Sequence, residues 1–344
     1  MRTTHRLARG DARALPLPDG SIDLVVTSPP YPGVAMWDPC FTEDDPGFAA
    51  SLANGDAVDA FERAHAQLDA CWRECRRVLT PGGLLCVNVG DATRTVGGAF
   101  SLWPNHARIL LGAQRAGFTP LPDVLWRKPT NAPNKFMGSG MLPAGAYVTY
   151  EHEYVLVLRN GGPRRFDPAG RARRAASAYF WEERNLWFSD LWSGIAGERQ
   201  GGADARRSGA FPLEIPWRLI HMYSLGGDRV LDPYAGTGTT ALAALAAGRS
   251  SVGFDRAHNP ADVLRTRLPE AWEGLRRRAD GRLDAHLAWL RDRPTPRHTA
   301  LQLGVPVTTR QEQALRIWRA EAHTWDGDTL HVDHGPVERG GATG

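Results

Sequence analysis

Short unbroken apolar runs alternate along this chain with longer stretches of helical periodicity. Residues 22–26, 84–89, 229–232 and 251–255 are brief, rich in β-branched side chains and flanked by turn formers. That is the pattern of strands buried within a sheet. Residues 123–127 and 153–158 read as further strands. Residues 58–79 repeat their apolar positions at helical spacing until Thr80-Pro81-Gly82-Gly83 stops them. The same spacing predicts helices over 105–116, 212–224 and 239–247. Strand and helix in alternation predict a doubly wound α/β fold with a mostly parallel sheet.

Other stretches are less regular. Residues 5–15 read as a loop and a short strand at 12–15, and 16–20 as a turn. Residues 32–56 carry Trp37, Phe41 and Phe48 among prolines and acids with no clear period. So long a loop inside a domain is usually functional or mobile. Residues 128–135 form a second loop. Beyond Asn259 the pattern is charged and helical, over 265–278 and 283–291. A Pro/Thr-rich linker at 294–299 leads to one more helix over 309–322, and 333–344 reads as disordered. No internal repeat is visible.

The totals narrow the class. With 344 residues, 42% of them hydrophobic, the chain can bury a sizeable core. A net charge of +3 says little about partners, and nearly all basic residues are arginine, with Lys128 and Lys135 the only lysines. Cys40, Cys71, Cys75 and Cys86 do not form a disulfide framework in a chain of this length. Cys71 and Cys75 sit one helical turn apart with no second ligand pair, so no metal site is expected. No stretch reaches the ~20 apolar residues of a membrane span, and the first fifteen residues lack a signal-peptide core. The expectation is a soluble cytoplasmic protein with no membrane partner.

Two stretches carry chemistry. Ser28-Pro29-Pro30-Tyr31 follows the strand at 22–26. Neither proline can donate a backbone hydrogen bond, and Pro30 biases Pro29 toward an extended conformation. The loop is therefore stiff, with a hydroxyl, free carbonyls and an aromatic face, a set suited to a flat group bearing an amino function. Taken alone, it could equally be a strand-ending turn. The second stretch, Val230 to Thr240, is strand, glycine turn and helix, with Asp255 closing the next strand. That is the nucleotide half of a doubly wound fold, in which the acid can hold two ribose hydroxyls. Gly236-Thr237-Gly238 lacks the third glycine of a pyrophosphate turn, which favours a smaller nucleoside over NAD. Both stretches follow parallel-type strands, so both should open on the carboxyl edge of one sheet.

On these residues the chain resembles the S-adenosylmethionine-dependent DNA amino-methyltransferases, with the catalytic motif before the cofactor motif (the β arrangement). Ser28-Pro29-Pro30-Tyr31 is similar to that family's catalytic tetrapeptide in its N4-cytosine form. The likeness extends over about residues 5–258 and includes Phe211-Pro212-Leu213-Glu214, Trp126 to Pro129 and Tyr150 to Glu153. One departure is Arg207-Ser208-Gly209-Ala210 before Phe211, where relatives often carry His-Pro-Ala. The resemblance implies a Rossmann-like sheet in circularly permuted motif order. It divides the chain into a catalytic half (1–158), an inserted target-recognition region (159–210), a cofactor half (211–258) and a helical extension with a disordered tail (259–344). It further implies S-adenosylmethionine as cofactor, held by Asp11, Phe211, Asp232, Tyr234, Ala235, Gly236, Thr237, Gly238, Thr239 and Asp255. Double-stranded DNA is the implied substrate, with a restriction endonuclease and a second copy of the chain as further candidate partners.

The implied reaction is direct methyl transfer to a base flipped from the duplex. Ser28 Oγ and the Pro29 carbonyl would hold the amino hydrogens, and Tyr31 would stack on the base. Adenine N6 is the nearest alternative target, and a catalytically inactive DNA-binding regulator is an alternative of another class. The arginines among aromatics in 159–210, Arg164, Arg165, Arg173 and Arg174 above all, are expected to contact DNA. Pro39-Cys40 matches the nucleophile pair of carbon-5 cytosine enzymes but follows no strand, and is read as coincidence. Asp91 is read as a turn residue and His152 as structural.

Overall fold

The computed structural model describes residues 1–128, 137–196 and 210–338. Its strands are β1 (Arg2–Arg9), β2 (Ile22–Thr27), β3 (Leu79–Val89), β4 (Ala92–Val96), β5 (Ala99–Trp103), β6 (Phe118–Arg127), β7 (Met137–Gly138) and β8 (Ala146–Tyr147). They continue as β9 (His152–Asn160), β10 (Leu191–Trp192), β11 (Arg229–Asp232), β12 (Ser250–Asp255), β13 (His298–Ala300), β14 (Val305–Val307), β15 (Trp318–Asp326) and β16 (Thr329–Pro336). The α-helices are α1 (Asp38–Asp44), α2 (Pro46–Ala53), α3 (Ala57–Val78), α4 (Asn105–Arg115), α5 (Pro168–Ala176), α6 (Trp181–Trp187), α7 (Glu214–Tyr223), α8 (Thr239–Ala246) and α9 (Pro260–Leu290).

Ten strands make one sheet in the order β10-β6-β9-β3-β2-β11-β12-β1-β16-β15. All but β9 and β16 run the same way. The central strands are apolar on both sides because both sheet faces are covered. On one face α3 and α4 bury Leu68, Trp72 and Ile109 against Leu85, Val87 and Leu231. On the other, α7, α8 and α9 bury Leu219, Leu242 and Leu264 against Leu24, Val26 and Val230. Adjacent β2 and β11 mark where chain order reverses across the sheet, the place where doubly wound folds open a ligand crevice.

The other expected strands and the helices α3, α4, α7 and α8 stand where the periodicity put them, to within a few residues, whereas α5 and α6 were not expected. Five expectations change. Residues 11–14 form a turn closed by Ala14 N–H donating to the Asp11 carbonyl at 3.1 Å, and the strand lies earlier, at β1. β1 hides its register because its inward face is polar: Thr3 bonds His334 at 2.9 Å and His5 bonds Ser251 at 2.8 Å. The irregular stretch 32–56 contains α1 and α2, which bury Phe41 and Phe48. The two helices expected beyond Arg265 are one, α9, whose buried stripe of Leu264, Leu268, Leu275 and Leu283 carries through Pro269.

The helix expected over 309–322 is a 3-10 turn (Arg310–Ala314) followed by β15, so the extension is helical only in its first part. Residues 333–336, expected to be disordered, belong to β16, which pairs with β1 and β15. Residues 339–344 lie outside the described residues. Around α9 the extension builds a further small core from Leu283, Val305, Val307 and Ile317, which takes in Phe180 of the 159–210 segment. Among the described residues, no helix is long and apolar enough to cross a membrane.

Candidate active site

The two chemical stretches meet at the β2/β11 seam, where Leu24 and Val25 lie opposite Val230 and Leu231. Just past that register, Thr27 Oγ1 donates to Asp232 Oδ1 at 2.7 Å. Tyr234 N–H donates to the same oxygen at 3.1 Å, and Thr240 Oγ1 donates to Oδ2 at 2.6 Å. Asp232 thus ties the end of β2, the glycine turn and the start of α8 together from a buried position. Burial pushes its carboxyl up to about 6, against the pull of those hydrogen bonds. Asp232 is a brace beneath the crevice and reaches it through its backbone.

The turn itself needs glycine. Gly236 and Gly238 have φ of 48° and 78°, conformations that side chains with a Cβ avoid. A Cβ on Gly253 would stand 2.9 Å from Ala235 Cβ, so β12 presses directly on the turn. Asp255, at the end of β12, accepts from Gly236 N–H at 3.2 Å and from Ala257 N–H at 2.8 Å, one on each oxygen. A carboxylate so occupied keeps further lone pairs, and 18% of this side chain stays open to solvent. These residues fit a ribose: an acceptor-rich carboxylate stands beside the glycine turn, with His258 reaching both, its Nε2 3.0 Å from the Gly236 carbonyl and its Nδ1 3.4 Å from Asp255 Oδ1.

The remaining cofactor candidates divide. Gly10 N–H donates to the Asp255 carbonyl at 2.9 Å, which sets Asp11 beside it. The Asp11 carboxylate, however, is gripped by Arg13 at 2.6 Å, which holds it below the usual range. Arg256 joins the same cluster, 2.5 Å from Asp44, and so ties α1 to this edge. Thr237 and Thr239 are linked through Arg267, which donates to the Thr237 carbonyl at 2.6 Å and to Thr239 Oγ1 at 3.2 Å. Phe211 is buried in the core on the α7 face. Tyr234 turns its ring toward α3, and burial beside Cys71 pushes its hydroxyl far up. Tyr234 therefore offers the crevice only backbone.

Across the crevice stands the loop of Ser28 to Tyr31. Asn105 Nδ2 donates at 3.0 Å to the carbonyls of Pro32 and Gly90, pinning the loop to the end of β3. Ser28 Oγ lies 2.8 Å from the Tyr31 hydroxyl. That hydroxyl is also within 3.2 Å of the Asn88 carbonyl and of Glu153 Oε2. Asn88 Nδ2 donates to Tyr31 Oη at 3.0 Å and to Glu153 Oε2 at 2.6 Å, and Lys128 Nζ donates to Glu153 Oε1 at 2.6 Å. Burial, then the Glu153 charge, pushes the Tyr31 phenol well up, so it stays protonated.

Sequence reasoning took Tyr31 as an aromatic face alone and gave Asn88, Glu153 and Lys128 no role. Asn88 did leave a signal, an amide inside an apolar run where a buried polar group needs partners. Asp91, read as a turn residue, accepts from both the backbone N–H of His106 at 3.0 Å and its imidazole at 2.7 Å. Cys40 sits in α1, an exposed residue whose thiol is pushed up by partial desolvation, the opposite of what a nucleophile needs.

Two of the arginines expected to grip DNA are engaged by acids of the protein itself. Arg164 pairs with Asp228 at 2.6 Å and Asp23 at 3.0 Å, and Arg173 pairs with Asp228 at 2.8 Å. Asp228 precedes β11 and Asp23 starts β2, so this knot closes the amino edge, opposite the crevice. β9 runs antiparallel to β3 and delivers residues 161–176 there. Arg174 stacks on Phe166 at 5.2 Å in the same segment, and Arg165 is exposed beside it. Ser177, just past α5, accepts from Gly226 N–H at 2.8 Å. Of the departure from the family pattern at 207–210, residues 207–209 lie outside the described residues. No cluster that could hold a metal ion occurs among the described residues.

Two loops facing one crevice, one shaped for a nucleoside and one for an amino group, mark the class of S-adenosylmethionine-dependent transferases acting on an amino nitrogen. Residues 22–264 match the DNA methylases of the N6/N4 type, and the chain belongs to that family. It is 44% identical over 324 residues to the Type II methyltransferase M.MthZI of Methanothermobacter thermautotrophicus, covering 92% of this chain and 91% of the relative. It is also 44% identical over 269 residues to the Type II methyltransferase M.MjaI of Methanocaldococcus jannaschii, covering 74% and 87%. A Thermus thermophilus protein described as a putative DNA modification methylase, solved with S-adenosyl-L-methionine, superposes with a TM-score of 0.60 at 32% identity over 77% of this chain and 93% of that one. The cytosine-N4-specific PvuII DNA methyltransferase shares the fold, with a TM-score of 0.51 at 20% identity over 74% and 83%. The protein is a DNA methyltransferase that uses S-adenosylmethionine.

Proposed function

We propose that the protein methylates the N4 amino nitrogen of cytosine at a specific site in duplex DNA. One observation carries the choice of base: the side chain offered by the Ser-Pro-Pro-Tyr loop is the uncharged Ser28 hydroxyl. Adenine enzymes of this kind typically offer a carboxylate, a stronger acceptor and a sink for the departing proton. The Type II names of the relatives support a role beside a restriction endonuclease that reads the same sequence.

S-adenosylmethionine supplies an electrophilic methyl carbon on a sulfonium, which leaves as a neutral thioether with the carbon–sulfur electrons. Asp255 would hold its ribose, the backbone from Ala235 to Thr239 would line its bed, and Phe211 would close the wall. Ser28 Oγ and the Pro29 carbonyl each accept one hydrogen of the extruded amino group. Pro29 and Pro30 keep that carbonyl out of any backbone ladder. With both hydrogens held, the nitrogen lone pair leaves conjugation with the ring and points at the methyl carbon, so the protein acts mostly by positioning. The methylated nitrogen is briefly cationic and loses its proton to water, which needs no residue of shifted pKa.

The test is nucleoside mass spectrometry of duplex DNA treated with the enzyme. N4-methylcytosine is expected. N6-methyladenine as the main product overturns the choice of base, and absence of any methylated nucleoside points to an inactive DNA-binding regulator.

A further inference from the structure

The geometry points to Glu153 as a positioning residue that fixes the direction of the Ser28 hydroxyl through Tyr31. The inference rests on the amino-transfer reading above, in which Ser28 Oγ must accept from the substrate.

A serine hydroxyl can either donate or accept, and only one state is useful here. Tyr31 Oη has a single hydrogen. Besides Ser28 Oγ, the acceptors in its reach are Glu153 Oε2 and the Asn88 carbonyl at 3.2 Å each, and the charged carboxylate is the strongest of the three, so the hydrogen goes to Glu153. Asn88 Nδ2 fills one lone pair of Tyr31 Oη at 3.0 Å. The remaining contact, Ser28 at 2.8 Å, is then made by the Ser28 hydrogen. The lone pairs of Ser28 are then left free to accept an amino hydrogen.

Glu153 holds this polarity in two ways. Its Oε2 takes the second Asn88 hydrogen at 2.6 Å, which sets the amide: flipped, the amide oxygen would stand against a carboxylate. Asn88 Oδ1 is buried with no partner, so the amide is oriented by its donors alone. The carboxylate can only accept, whereas a glutamine could offer Tyr31 an N–H and reverse the chain. Lys128, 2.6 Å from Oε1, is the charge partner that keeps the carboxylate at the crevice.

The experiment is a double-mutant cycle read by single-turnover transfer of tritiated methyl from S-adenosylmethionine to unmethylated genomic DNA. Cofactor and DNA affinities are measured alongside. Glu153→Gln is expected to slow the transfer step about tenfold, the scale of a hydrogen bond to a charged group, with both affinities unchanged. In a Ser28→Ala background the same substitution is expected to cost less than about twofold, because its path through Ser28 is gone. Equal losses in both backgrounds, a loss confined to the affinities, or no loss overturns the assignment. If Glu153→Gln does not fold, Tyr31→Phe tests the same link with the ring retained. Failure of the cytosine reading would change which base carries tritium, and the cycle would stand on either base.

Discussion

Thr27 Oγ1 donates to Asp232 Oδ1 at 2.7 Å, joining residues 205 positions apart. The strand that ends in the Ser-Pro-Pro-Tyr loop is thereby hydrogen-bonded to the acid that opens the glycine turn. Asp232 carries two further donors, so a shift of either loop must disturb the other.

That brace predicts a pH dependence of stability. Burial raises the Asp232 carboxyl from the ordinary 3.8 to about 6. The folded state therefore binds a proton more tightly than the unfolded one, and this residue's contribution falls as pH rises from about 4 to about 6. Asp232→Asn removes this titration. In thermal melts its stability relative to wild type should improve over that window by up to roughly 3 kcal/mol, two pKa units' worth. A pH-independent difference would show that the carboxyl titrates normally.

Asp255→Asn should weaken S-adenosylmethionine binding by at least ~1.5 kcal/mol, the lower end for a hydrogen bond to a charged group. Calorimetry is the measurement, with circular dichroism to show that the turn held by Gly236 N–H still forms. Unchanged affinity in the folded variant would remove Asp255 from the site.

Arg164 should behave as a structural residue. Its partner Asp228 is 1% exposed, so Arg164→Ala should cost about 1.5 kcal/mol or more of stability. Each phosphate contact contributes roughly 0.9 to the log–log salt slope of DNA binding, and Arg164→Ala should leave that slope unchanged. A reduced slope would return the segment to the DNA interface.

Removal of residues 295–344 should harm folding before chemistry. β16 covers the edge of β1 from Arg2 to Arg6, and its loss leaves that edge unpaired. The truncated chain is expected to melt earlier and to aggregate, as light scattering would show. A soluble truncated protein of wild-type melting temperature would contradict this.

How much of this was legible beforehand differs from element to element. β2 and β11 announce themselves because they are buried on both faces, so nearly every position must be apolar. The Gly236-Thr237-Gly238 turn is equally plain, since its positive φ values admit few residues but glycine. From these the sequence by itself determined the doubly wound fold, the order of the two motifs and the carboxyl edge as the reactive one. Only the tertiary structure decided the rest. Apolar periodicity reports that a face is covered and is silent about what covers it. Thus 318–322, the end of the helix expected over 309–322, became the start of β15 because β16 offered it a ladder. Arg164 looked like a phosphate contact until the antiparallel run of β9 carried it to Asp228. Tyr31 looked like a bare ring until β3 and β9 brought Asn88 and Glu153 to its hydroxyl. A hydrogen bond needs its partners within about 3 Å, and which distant strands supply them is settled only when the sheet closes.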